Sequence, residues 1–231
     1  MLRRLIDYVV LLSLLSLAAC LKAGESTLTC DQIAVLQDNI MTSFSEDKFE
    51  DWVVNTYDLK SLDEVEKYDV LESSISRVIY KWTLSGYNYS ATLADGQLVE
   101  ARIGKDSRNE HNGIPIREIM VCLGEPQFYN AYYDIEKRDT SGHMDFDILY
   151  PSDGVFINTY RYYKPIPQKT PLIGDGYPVD AILIGIPGSS EEVLQQFVPN
   201  ATGYFDLKPW DEWENIEVDI APKMQDWLDS R

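Results

Sequence analysis

The hydrophobic pattern changes period along the chain, and each change marks a new element. In "CDQIAVLQDNI", Ile33, Leu36, Gln37 and Ile40 fall at helical intervals, which predicts a helix. Ser45 reads as the N-cap of a second helix, whose Phe49, Trp52, Val53 and Tyr57 line one aromatic-rich face. "SLDE" from Ser61 has capping-box spacing and predicts a short third helix. The period then drops to two. Val78, Tyr80, Trp82 and Leu84 alternate, as do Tyr87, Tyr89, Ala91 and Leu93. Ser85-Gly86 and Asp95-Gly96 separate these runs from each other and from "QLVEARI". Asp-Gly between alternating runs is a strong hairpin signal, because both turn positions favour φ > 0. A three-stranded antiparallel meander is expected over 78–103.

The order then repeats. "GKDSRNEHNG" is a polar loop suited to a unit boundary. "IPIREIMVCLGEP" reads as a short helix, with Pro115 near its start and Gly124 and Pro126 as stop signals. Strands follow at Phe128 to Asp134, Met144 to Tyr150 and, past the turn "PSDG", Val155 to Tyr163. A proline-rich connector leads to "VDAILIGIP", a nearly all-apolar run of the kind found inside a sheet. Ser189 and Glu192 have capping-box spacing before another helix, and Pro222 opens a last one.

The expected fold class is α+β, with helices packed on antiparallel three-stranded meanders. Two units share an order of elements but not their letters, and a C-terminal strand–helix extension follows. The boundaries read as 1–19 signal peptide, 20–29 lipidated tether, 30–104 first helix–meander unit, 113–164 second unit, and 165–231 an extension packed on the second unit.

The first residues carry the clearest address. Arg3 and Arg4 precede a twelve-residue apolar run from Tyr8 to Ala19, too short to span a bilayer, which needs ~20 residues. It has the length of the apolar part of a secretory signal. Leu17-Ala18-Ala19-Cys20 resembles the lipobox of bacterial lipoproteins, in which the cysteine sulfur is acylated. The resemblance implies a lipid anchor at Cys20 on the extracytoplasmic face of the cell membrane or outer membrane. A eukaryotic signal peptide is the alternative, with Asn88-Tyr89-Ser90 and Asn200-Ala201-Thr202 as glycosylation acceptors.

Charge narrows the partners. With 38 Asp and Glu against 20 Lys and Arg, the formal charge is −18, which opposes nucleic acid and anionic membrane surfaces. Hydrophobic content of 45% suffices for a core. With Cys20 acylated, Cys30 and Cys122 remain as a candidate disulfide, with two buried thiols as the alternative.

At "GIPIREIMVCLGEP" the chain resembles small outer-membrane-assembly lipoproteins of the SmpA/OmlA type and the related beta-lactamase-inhibitor-like fold. Gly113, Ile119, Leu123, Gly124 and Pro126 carry the resemblance, over about fourteen residues. It departs from the pattern where Ile114-Pro115 replaces the Ser/Thr cap, and where the first unit lacks a Gly-x-Pro ending. The resemblance implies a non-enzymatic protein that binds another protein through its sheet.

Signals for chemistry are sparse. His111 and His143 are the two histidines, and neither has metal-ligand spacing. His143, Asp145 and Asp147 share one face of a strand by alternation, with Met144, Phe146 and Ile148 turned inward. No phosphate-binding, dinucleotide-binding or nucleophile-elbow motif occurs. No cofactor, metal or catalytic residue is therefore assigned. The fifteen tyrosines are the remaining lead: "YNAYY" and "YRYYK" put Tyr129, Tyr132, Tyr160 and Tyr162 forward as partner contacts. The expectation is a protein-interaction or scaffold lipoprotein, with a carbohydrate- or small-ligand-binding lipoprotein as the alternative. The oligomeric state stays open.

Overall fold

The computed structural model describes residues 28–72, 75–105, 113–135, 141–167, 169–199 and 206–230. The predicted signal peptide, Cys20, the tether up to Thr27, His111 and the triplet from Asn200 lie outside the described residues.

Two helices come first, α1 (Cys30–Gln37) and α2 (Glu46–Tyr57). The expected third helix is instead a 3-10 turn, Leu62–Glu64, and Ser61 makes no side-chain cap bond. The chain runs straight on into β1 (Glu66–Glu72), so the first meander has four strands rather than three. "EKYDVLE" escaped prediction because an edge strand needs no continuous apolar face; Glu66, Lys67, Tyr68 and Asp69 are all exposed. The meander continues through β2 (Ile75–Leu84), β3 (Tyr87–Ala94) and β4 (Gln97–Lys105). Its turns fall where φ is positive, at Ser85 and Gly86 and again at Asp95 and Gly96.

The second half opens with β5 (Ile114–Pro115) and α3 (Ile116–Leu123), stopped by Gly124 at φ 77°. Gly113 is needed for close approach, since a Cβ there would sit 2.7 Å from the side chain of Pro178 and from the Val179 carbonyl oxygen. A meander of β6 (Phe128–Ile135), β7 (Gly142–Tyr150) and β8 (Val155–Tyr163) follows. The extension supplies β9 (Pro178–Val179), β10 (Ala181–Ile184), α4 (Ser190–Phe197), β11 (Lys208–Pro209), β12 (Asp219–Ile220) and α5 (Pro222–Asp229).

The architecture is α+β. Ten strands form one sheet in the order β1-β2-β3-β4-β10-β8-β7-β6-β11, with β12 pairing parallel to β6, and β5 and β9 form a separate two-stranded ribbon. The extension thus does more than pack on the second unit. Strand β10 lies between the two meanders, antiparallel to both β4 and β8. That position explains "AILI": the strand has a paired neighbour on each side, three of its four residues are buried, and Leu183 alone is half-buried.

One face of the sheet carries the main core. There Phe49 of α2 meets Tyr80 at 4.7 Å between ring centroids, and Tyr57 meets Trp82 and Tyr89 at 5.1 Å each. Ile33 and Leu36 of α1, Ile116 and Ile119 of α3, and Met224 of α5 join the same cluster. Helix α4 lies on the other face, over a smaller cluster of Leu149, Phe156 and Val193. Its Ser189–Glu192 capping box forms as the sequence predicts. Gln196 pins it down by exchanging two 2.8 Å hydrogen bonds with the backbone of Ile186.

Candidate functional site: the open face of the sheet

The pairing registers fix what the second face displays. Residues opposite one another on paired strands point to the same side. One row across the sheet runs Lys81, Ser90, Arg102, Leu183, Phe156, Leu149, Phe128. The next runs Thr83, Asn88, Gly104, Ala181, Asn158, Asp147, Asn130. Beyond it come Tyr160, Asp145 and Tyr132, then Tyr162, His143 and Asp134.

Of the four tyrosines expected to contact a partner, three share this face. Tyr160 and Tyr162 are 43% and 36% exposed. Tyr132 is half-buried, its hydroxyl 3.4 Å from an Asp134 carboxylate oxygen. Tyr129 is the correction: it is 3% exposed and lies on the core face. Residues three apart on a strand face opposite ways, so Tyr129 and Tyr132 cannot share a surface. Tyr129 is further tied down by Trp210, edge-on at 6.1 Å, and its hydroxyl oxygen accepts a 3.1 Å hydrogen bond from the Glu217 N–H.

His143, Asp145 and Asp147 alternate outward, with Met144, Phe146 and Ile148 in the core. They do not converge on a shared centre. His143 stacks on Tyr160 at 5.4 Å, and its Nε2 lies 3.7 Å from Asp145 Oδ2. Asp147 is 2% exposed and takes hydrogen bonds from two amides, Asn158 Nδ2 at 2.7 Å and Asn130 Nδ2 at 3.2 Å. Burial pushes its carboxyl up to about 7, against the lowering effect of those amides, and the charge of Asp145 adds to the rise. Asp145 is also raised, by burial first, with His143 opposing. Among the described residues no group of three or more His, Cys, Asp or Glu side chains is placed to hold a metal ion.

Two adjoining cavities open around the first meander. The larger, of about 540 Å³, is lined by Glu64, Glu66, Lys81, Trp82, Thr83, Asn88 and Tyr89. It lies where β1 begins, and β1 pairs with β2 no further along than Lys81. The smaller, of about 270 Å³, shares Lys81, Asn88 and Tyr89 with it and adds Ser90, Arg102, Gly104, Lys105 and Asp180. Sequence reading placed Asp147 on the outward face of its strand but missed Lys81, Arg102, Asn130 and Asn158. Their signal is the polar half of the alternation, in "YKWTL" for Lys81, "VEARI" for Arg102, "YNAYY" for Asn130 and "VFINTY" for Asn158.

Cys30 and Cys122 are joined by a disulfide that ties the start of α1 to the end of α3, with a Cα–Cα distance of 4.9 Å.

No protein-family model matches the chain, and no curated protein matches it. Among solved structures, a supposed beta-lactamase inhibitor protein from Streptococcus mutans shows a weak structural resemblance. The identity is 16% and the TM-score 0.27, over 60% of this chain and 93% of that one. A likeness at that score says nothing of what this chain binds.

Proposed function

We propose that the protein is a lipid-anchored, extracytoplasmic interaction module that binds another protein through the open face of its sheet. The observation that carries this reading is the asymmetry of the sheet. Four helices close one face, while Tyr68, Lys81, Thr83, Asn88, Arg102, Tyr160 and Tyr162 stand exposed on the other. Tyrosine and arginine on one surface are the residue types that dominate protein contacts. The Cys30–Cys122 bridge supports a compartment where disulfides persist. Acylation at Cys20 supplies the anchor, at the cell membrane or outer membrane. The charge of −18 disfavours nucleic acid.

The carbohydrate-binding alternative needs aromatic rings free to stack on sugars. In the 540 Å³ cavity the two aromatic residues are Trp82 and Tyr89, and both are already buried, stacked on each other at 5.5 Å. The protein-binding reading is favoured for that reason.

Crosslinking and pull-down from membranes tests it, comparing the native chain with Cys20→Ala and with Tyr160→Ala combined with Tyr162→Ala. The expected result is one stoichiometric protein partner, lost from the membrane fraction with Cys20→Ala and reduced at least tenfold by the tyrosine pair. Recovery of glycans or metabolites alone transfers the proposal to the ligand-binding alternative. An unmodified cytosolic chain with Met1 intact overturns the anchor.

A further inference from the structure

In a molecule of charge −18, the 270 Å³ cavity is lined by Lys81 and Arg102 from the open face, by one carboxylate, Asp180, and by Lys105, whose register sets it with Tyr87 on the opposite face and whose Nζ lies 5.7 Å over that ring. Asp180 is already engaged. Its Oδ1 accepts from Arg161 Nη1 at 2.6 Å, and its Oδ2 accepts from the Tyr160 N–H at 2.9 Å. Among the described residues, none of the three lining cations forms an ion pair within 4.0 Å. Lys81 and Arg102 occupy one cross-strand row with Ser90 between them, and Asn88 and Gly104 sit side by side in the next. The small residues Ser90 and Gly104 leave the floor low between the longer side chains. Hydroxyl and amide donors from Ser90 and Asn88 are therefore available between two positive charges.

Exposed aromatic rings flank this cavity on the same face. Tyr68 lies on the β1 side, with Lys81 Nζ 4.7 Å above its ring, and Tyr160 lies on the β8 side, bonded through its backbone to Asp180. A bare inorganic anion makes no use of such rings, whereas a peptide segment does. The neighbouring cavity carries Glu64 and Glu66, so a long polyanion is disfavoured and a short acidic stretch fits best.

Building on the interaction reading above, we infer that the cavity between Lys81 and Arg102 receives a short carboxylate-bearing segment of the partner protein, with Tyr68 and Tyr160 packing against its apolar neighbours. The two open-face cations act locally despite the net negative charge, because exposed charges are screened beyond ~8 Å at physiological salt.

The test is an NMR titration of the full chain with the peptide Leu-Glu-Glu-Leu, alongside Leu-Lys-Lys-Leu and sodium phosphate. The acidic peptide is expected to shift the amide signals of Ser90, Arg102 and Gly104 saturably. Its affinity should fall at least tenfold when Lys81→Glu is combined with Arg102→Glu, and three- to tenfold with Tyr68→Ala or Tyr160→Ala. Lys48→Glu, an exposed change on α2, should leave it within twofold, and equal melting temperatures confirm that the variants fold. The proposal is overturned if no shift appears, if Lys48→Glu weakens binding as much as the cavity pair, or if phosphate binds as tightly as the peptide. Absent peptide binding together with loss of the crosslinked partner in the Tyr160/Tyr162 variant removes the acidic segment and leaves the interaction reading standing. Failure of both removes both.

Discussion

The row Lys81, Ser90, Arg102, Leu183, Phe156, Leu149, Phe128 crosses the same face of one sheet, yet its two ends have opposite character. Over the first meander it is charged and exposed at Lys81 and Arg102. Over the second it is apolar, with Leu149 and Phe156 buried beneath α4. The difference comes from connectivity. Strand β10 sits at the centre of the sheet, and the chain leaving it through "GIPGSS" lays α4 over the second meander, against Leu149, Phe156, Phe128 and the β10 residue Leu183. Half a sheet face given a helix becomes a second small core. The half left without one keeps residues that folding does not require there, and those are the residues open to a partner.

The largest expected effect lies in the covered half. Phe156→Ala removes a buried ring that stacks on the half-buried Phe197 at 6.0 Å, and should cost about 3–5 kcal/mol by denaturant unfolding. Arg102→Ala, in the same row but in the open half, should change stability by less than about 0.5 kcal/mol. Equal losses at both positions would abolish the distinction between the halves.

That distinction was half legible in the sequence. Elements announced by a strong local signal came through: the Asp95-Gly96 hairpin, the Ser189 capping box, the apolar "AILI" run and Pro222 at the start of α5. Strand β1 did not, because an exposed edge carries no alternation. The place of β10 between the meanders did not either, since it depends on pairings some eighty residues apart, such as Ile182 with Ile103. Site residues fared worse for a related reason. Tyr129 and Tyr132 look alike in "YNAYY", and only strand parity separates a core ring from one on the open face. Lys81 and Arg102 are ordinary surface residues until register brings them to either side of Ser90.

The disulfide tests whether the two halves depend on each other. It links α1, which joins the core under the first meander, to α3 of the second half, closing a loop across a sequence separation of 92. Replacing both Cys30 and Cys122 by Ser should cost about 2–4 kcal/mol. If α1 serves mainly as a cover for the first meander, amide exchange should rise first in α1 and β2 and leave β7 protected. Uniform loss of protection would show the sheet behaving as one cooperative unit.

Asp147 offers the finest probe, because it brings a titrating group into the covered half. Its folded value, about 7, stands above the ordinary value of 3.8 for an aspartate, and burial is the main cause. The folded state therefore holds the proton more tightly than the unfolded chain does. The penalty for charging it is absent below about pH 4, grows as pH rises, and is complete once pH passes about 7. Native stability should fall between pH 5 and pH 8 by on the order of 2 kcal/mol from this group alone. Asp147→Asn keeps the shape and removes the titration, so the gap between denaturation midpoints at the two pH values should narrow. The amides of Asn130 and Asn158 can still pair with the new side chain, by turning one amide to present its oxygen. An undiminished gap in the variant would mean that Asp147 is reached by water in solution, and that its pairing with Asn130 and Asn158 does not shut it off from solvent.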